Sequence, residues 1–237
     1  MTAIRHRDRS VTVAHHPGGW RPVLAAVAGS AIVGAACALD FDRLLAGIGQ
    51  RFGPAAVASF RDWRRLLDEA PALSVPDKLR RVNEFFNRRI LFLDDIKVWG
   101  QSDYWATPLE TIGKGQGDCE DFTIAKYYTL LNAGMPNENL RLVYVKARIG
   151  GPSSTVQQAH MVLAWYATPD AEPLVLDNLI TDIRPASRRP DLQPVFSFNS
   201  QGIWQGAGGG APSAAAGPGR LSRWQDLLQR ARAEGFD

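Results

Sequence analysis

The stretch IGKGQGDCEDFTIAKYYTLLNAG, residues 112–134, decides the fold. Its first half is a glycine-rich loop carrying Gly113, Gly115 and Gly117. At Asp118 it becomes a run of helical periodicity that reaches Ala133 and meets Gly134, a residue suited to a helix C-cap. The loop-to-helix boundary falls on Cys119. N–H groups in the first turn of a helix have no intrahelical acceptor, and together with the macrodipole they favour a thiolate over a thiol. The same N–H groups can stabilise an oxyanion. A reactive cysteine belongs in such a place, and so does an inert small hydrophobe.

Working outward, residues 40–90 place apolar side chains at spacings of three and four. Leu44, Leu45, Ile48 and Phe52 form one set, Val57, Phe60, Trp63, Leu66 and Leu67 a second, and Leu79, Val82, Phe85, Phe86 and Ile90 a third. Pro54, Pro71 and Pro76 divide this run into two or three helices. Residues 93–117, with Trp99, Trp105, Pro108 and the glycines, read as loop. Downstream, LRLVYVKA from Leu140, AHMVLAWYA from Ala159 and PLVLDNL from Pro173 read as strands, and shorter extended pieces at 195–198 and 203–204 complete the sheet. Helices followed by an antiparallel sheet make an α+β order, with one domain over residues 39–205. Residues 206–219 have linker composition, and residues 220–237 carry an amphipathic helix expected to dock through Trp224. No internal repeat is present.

The chain has 237 residues, 45% of them hydrophobic, two cysteines, and 27 Lys+Arg against 24 Asp+Glu. The apolar content excludes disorder throughout, and two cysteines exclude a disulfide scaffold or a zinc ribbon. A net charge of +3 suggests nucleic acid or an anionic membrane until its distribution is considered. Arg5, Arg7, Arg9 and Arg21 precede an uncharged run, PVLAAVAGSAIVGAACAL, that ends in small residues at Ala36 and Ala38. Residues 1–38 therefore read as an export signal cleaved after Ala38. The alternatives are an uncleaved anchor and a lipoprotein site at Cys37, the latter with Gly34 where such sites usually have Leu. Without residues 1–38 the chain holds 23 basic and 23 acidic residues, one cysteine, Cys119, and one histidine, His160. A nucleic-acid partner is then not expected.

His160 and Asp177 lie 17 residues apart, and the midpoint of the interval falls in the turn-like segment ATPDAEP. A hairpin centred there would make them direct cross-strand neighbours, roughly 5 Å apart at Cβ. The aspartate would accept an imidazole N–H, fix the tautomer and leave the other nitrogen for a thiol. Cys119, His160 and Asp177 in that order form an activated-nucleophile triad, against the alternative of a satisfied core histidine beside a turn carboxylate. Asp118, Glu120 and Asp121 surround the thiol. A carboxylate about 6 Å away opposes ionisation by about 3 kcal/mol at an effective dielectric of 20. Such acids either complement the helix dipole or hold a hard divalent cation, most plausibly Ca²⁺, that cancels their field.

The runs WATPLETIGKGQGDCEDFTIAKYYTLLNAGMP, AHMVLAWY, PLVLDNL and RRPDLQPVFSFN resemble the bacterial transglutaminase-like cysteine proteinases, the LapG-type periplasmic proteases. The resemblance spans roughly Phe41 to Trp204 and resumes at LSRWQDLLQRARAEGF. It implies a papain/transglutaminase-like fold with N-terminal helices packed on an antiparallel sheet. It implies Cys119 as nucleophile, His160 as base, Asp177 as orienter, and calcium dependence through Asp118, Glu120 and Asp121. It further implies a periplasmic protease that cuts a large cell-surface adhesin near its N-terminus at paired alanines, releasing cells from a biofilm. Inhibition by an inner-membrane, LapD-type cyclic-di-GMP receptor is implied as well. One oxyanion donor is expected from the Cys119 N–H and a second from the loop around Trp105. The same triad would serve transglutaminase-type acyl transfer, and a non-catalytic calcium-dependent binding module is a reading from a different class.

Overall fold

In the computed structural model, residues 39–208 and 218–236 are described; residues 1–38, 209–217 and 237 lie outside them, and with them the expected export signal and most of the expected linker. Capping side chains, glycine and proline set the first helix boundaries. Helix α1 (Phe41–Phe52) opens on Asp40, which accepts the Arg43 N–H at 3.0 Å, and ends at Gly53, where φ is +83°. Helix α2 (Pro54–Glu69) begins with proline in its first turn, and α3 (Val75–Arg89) starts from a Ser74 cap with Pro76 in its first turn. The periodic residues Phe60, Trp63, Leu79, Val82 and Phe86 are all buried in the main core.

Residues 93–117 are not plain loop. They contain α4 (Asp95–Val98), α5 (Pro108–Lys114) and β2 (Gln116–Gly117), which pairs in parallel with β1 (Leu91–Phe92). Helix α5 is short but fully capped: Thr107 accepts the Glu110 N–H, the Glu110 carboxylate accepts the Thr107 N–H, and Gly115 closes the helix at φ +63°. Thr-Pro-Leu-Glu is a capping-box signature that the surrounding glycines and tryptophans obscure.

Helix α6 (Cys119–Asn132) is buried along almost its whole length, with Asp118 as its N-cap accepting the Glu120 N–H at 3.2 Å. It ends in a Schellman turn, in which Met135 N–H reaches the Leu130 carbonyl and Gly134, at φ +81°, donates to Leu131. The helix packs against a six-stranded antiparallel sheet of β3 (Leu140–Arg148), β4 (Gln157–Trp165), β5 (Leu174–Leu176), β6 (Arg184–Pro185), β7 (Leu192–Phe198) and β8 (Ile203–Gln205). Their order is β6-β5-β4-β3-β7-β8. Strand alternation sends Leu140, Leu142, Met161 and Leu163 into the main core, and Val143, Val145, Val162 and Ala164 into a smaller cluster. Among the described residues no helix is long and apolar enough to cross a membrane.

The β4–β5 hairpin corrects one expectation. Leu163 faces Leu176 and Ala164 faces Val175, so the register, continued by one residue, sets Asp177 opposite Val162 rather than His160. A shift of two residues preserves the face, and the two side chains become diagonal neighbours instead of direct ones.

Helix α7 (Pro218–Glu234) returns over the helical side. Trp224 is buried against Phe198, Tyr127 and Trp105, with ring centroids 5.0, 5.9 and 6.5 Å away. After a second Schellman turn at Gly235, Phe236 packs on Trp63 and Tyr128. Replacing Trp224 by Ala should cost about 3–5 kcal/mol, read as a lower denaturant midpoint. A loss below about 1 kcal/mol would mean that α7 is not part of the core.

Candidate active site

Cys119 occupies the first position of α6 and is a buried free thiol. Its Sγ–H donates to Glu120 Oε2 at 2.7 Å, while the Met161 backbone N–H approaches the sulfur. Burial raises the thiol pKa well above the ordinary value, the Glu120 charge raises it further, and the Met161 N–H opposes both. Thr123 Oγ1 donates to the Met161 carbonyl at 3.1 Å, so both backbone groups of Met161 tie β4 to the start of α6.

His160, the residue before Met161, is buried with its Nε2 2.8 Å from Asp177 Oδ1. Asp177 lies one residue beyond β5 and also accepts the Leu179 N–H at 2.9 Å on Oδ1 and Arg189 Nη2 at 2.7 Å on Oδ2. Burial pushes this carboxyl upward, but the hydrogen bonds from His160, Leu179 and Arg189 overcome it and hold the pKa at about 2. The structure thus brings His160 and Asp177 together, and Cys119, at the start of α6, lies against Met161, the next residue along the strand that carries His160. The thiol hydrogen itself goes to Glu120, not to the imidazole.

Asp118 and Asp121 are joined by an acid that sequence reasoning missed. Ligand atoms of Asp95, Asp118 and Asp121 lie within 4.8 Å of one another, as do those of Asp118, Cys119 and Glu120. Parallel pairing of β1 with β2 explains the encounter: the chain leaves both strands at the same end, bringing Asp95 beside Asp118 although 23 positions separate them. The acidic pair Asp94–Asp95 was the only sequence signal.

Buried oxygens Asp95 Oδ1 and Asp121 Oδ2 make no hydrogen bond among the described residues. The other oxygens hold the preceding loop, Asp95 accepting the Tyr104 N–H and Asp121 the Ala106 N–H at 2.8 Å. Neither N–H is therefore available as the second oxyanion donor expected from this loop. Gly117 is required here, because a Cβ at that position would meet Asp121 Oδ2 at 2.6 Å. Burial raises Asp95 to about 6 against the Tyr104 N–H, with Glu120 and Asp103 adding repulsion, and burial followed by repulsion from Glu120, Asp121 and Asp95 raises Asp118 to about 10. Asp121 is raised well above the carboxylate range, chiefly by burial. Clustered carboxylates with orphaned oxygens fit a hard divalent cation, whereas the sulfur of Cys119 does not.

The profile of the bacterial transglutaminase-like cysteine proteinases matches residues 69–191. The chain belongs to that family. Calcium-bound LapG from Legionella pneumophila is 40% identical, with a TM-score of 0.66 over 78% of this chain and 96% of that one. EGTA-treated LapG from the same organism is 37% identical, with a TM-score of 0.67 over 81% and 97%. No curated protein sequence matches the chain. The α+β architecture is accordingly the transglutaminase-like cysteine protease fold, and the chain is a cysteine peptidase by family.

The raised carboxyls set a pH dependence. In chelator, Asp95, Asp118 and Asp121 keep protons in the folded state that the unfolded chain loses above about pH 4. The folded state then binds more protons, so stability falls as pH rises through about 6, where Asp95 ionises, and on toward 10 with Asp118. Denaturation midpoints measured in chelator should drop between pH 5 and pH 8, and Asp118→Asn should flatten the profile. A wild-type profile already flat would contradict the raised carboxyls.

Proposed function

We propose that the protein is a calcium-dependent periplasmic cysteine endopeptidase that cleaves a large cell-surface adhesin near its N-terminus, at a site of paired alanines, and so controls release from a biofilm. The observation that carries the catalytic part is the 2.8 Å His160–Asp177 contact, one residue from the backbone N–H that approaches the Cys119 sulfur. In this mechanism Nε2–H of His160 is donated to Asp177, leaving Nδ1 to take the thiol proton. The Cys119 thiolate then attacks the peptide carbonyl, with its own backbone N–H as one oxyanion donor. His160 returns the proton to the leaving amine, and water hydrolyses the acyl-enzyme.

Asp118, Asp121, Asp95 and Glu120 would hold the calcium, an assignment supported by their clustering, by the orphaned oxygens of Asp95 and Asp121, and by the calcium-bound form of LapG. Bound calcium would supply the positive charge that the cluster lacks and weaken the field of Glu120 and Asp118 on the thiolate. The adhesin substrate, the periplasmic location and inhibition by a LapD-type cyclic-di-GMP receptor rest on the likeness of the GDCED, AHMVL and LDN segments to LapG-type proteases.

An internally quenched peptide containing an alanine pair from such an adhesin tests this directly. Cys119→Ala should abolish cleavage while leaving thermal stability near wild type, and His160→Ala should suppress labelling of Cys119 by a thiol-directed probe. Undiminished cleavage by Cys119→Ala would sink the mechanism. Removing calcium with EGTA should slow Cys119 labelling about tenfold or more at neutral pH, and readded Ca²⁺ should restore it. Full labelling in excess EGTA would remove the metal from the scheme. Cleavage products carrying an added primary amine would instead indicate acyl transfer.

A further inference from the structure

Arg189, in the RRPDL run, is 3% exposed, and the function proposed above leaves it without a role. Its guanidinium is anchored by Asp191, with Nε 3.0 Å from Oδ1 and Nη2 2.7 Å from Oδ2. The same Nη2 lies 2.7 Å from Asp177 Oδ2. Nη1 has no hydrogen-bond partner among the described residues, and Arg189 lines a cavity of about 110 Å³ with Val143, Val145, Val162, Ala164, Val175 and Leu192.

Stability gives no account of this arrangement. A buried guanidinium pays desolvation that its ion pairs only partly offset, and an unsatisfied nitrogen adds to the loss; an apolar side chain would suit those walls better. What an apolar side chain cannot do is hold the second oxygen of Asp177. The terminal torsion of an aspartate is broad, and Oδ1 presents a fixed lone pair to His160 only when both oxygens are held. Protonation of that carboxyl would be worse than rotation. A carboxylic acid donates, which would turn Nε2 into the acceptor and put the imidazole proton on Nδ1, the atom that must take the thiol proton.

Lys126, on α6, is another cation whose charge interacts with Asp177, but burial lowers it to about 7, so its charge is not permanent near neutral pH. Arg189 is raised above its already high ordinary value by Asp191 and Asp177, against the pull of burial, and stays charged.

We propose that Arg189, braced by Asp191, is a positioning residue for the proteolytic site: it holds Asp177 as an oriented, ionised acceptor and thereby keeps His160 in the Nε2–H tautomer. The proposal rests on the reading of Cys119, His160 and Asp177 as one catalytic group. It is tested in the full chain with Arg189→Gln, Arg189→Lys and Asp191→Asn. The readouts are kcat and KM on the alanine-pair peptide, and the ¹⁵N shifts of the His160 imidazole, assigned with His160→Gln.

Arg189→Gln should lower kcat about 10- to 100-fold with KM within about twofold, and replace the single Nε2–H tautomer by a mixture. Arg189→Lys should recover part of kcat and most of the tautomer. A folded Arg189→Gln with wild-type kcat and an unchanged tautomer overturns the proposal. If Arg189→Gln does not fold, Asp191→Asn decides it: reduced kcat with a mixed tautomer supports the role, and wild-type kcat with an unchanged tautomer refutes it. Should wild-type protein cleave nothing, the catalytic reading fails, while the ¹⁵N shifts still report whether Arg189 sets the tautomer.

Discussion

Burying α6 on nearly every side forces its N-terminal end against β4, and the site follows from that contact. Main-core residues from α2, α3, α5 and the sheet close around the helix, and its middle is pinned from outside by Trp63 Nε1, which donates to Thr129 Oγ1 at 2.9 Å. The first turn has no such freedom to be apolar. Of its unpaired N–H groups, that of Glu120 is accepted by the Asp118 cap. The thiol is therefore held where a thiolate is wanted by the helix but opposed by its neighbours.

Two opposite electrostatic designs sit on either side of this junction. Asp177 is buried yet strongly acidic, because each oxygen has a donor and one of those donors is a permanent cation. Asp95 and Asp121 are buried and Asp118 half-buried among like charges, and their carboxyls are pushed up instead of down. The same residue type thus serves two purposes, distinguished only by what packs around it. The C-terminal helix adds a third element, since Arg230 reaches Glu110 Oε2 at 2.8 Å and the Trp105 carbonyl at 2.6 Å. The loop that donates to Asp95 and Asp121 is thereby held from both ends.

Much of this was legible. Spacings of three and four marked the helices, alternation marked the strands, and Cys119 and His160 stood out as the one cysteine and one histidine of residues 39–237. What escaped was short or distant. Helix α5 hid among glycines although its capping box was present, Asp95 was invisible because only the β1–β2 pairing returns it to Asp118, and nothing in the RRPDL run told Arg189 from its neighbour Arg188. The hairpin register was displaced by two residues because the turn is not centred on the interval between His160 and Asp177. An even displacement left the face unchanged, which is why a wrong pairing still predicted a right contact.

The sequence by itself determined the order of helices and strands, the identity of the one thiol and one imidazole of residues 39–237, and the acids at the start of α6, because these depend on residue type and local period. Only the tertiary structure decided which carboxylates share a cluster, which cation keeps Asp177 ionised, and that the thiol rests on Glu120. Those are matters of burial and of contacts between residues far apart in the chain, and desolvation has no signature in local sequence.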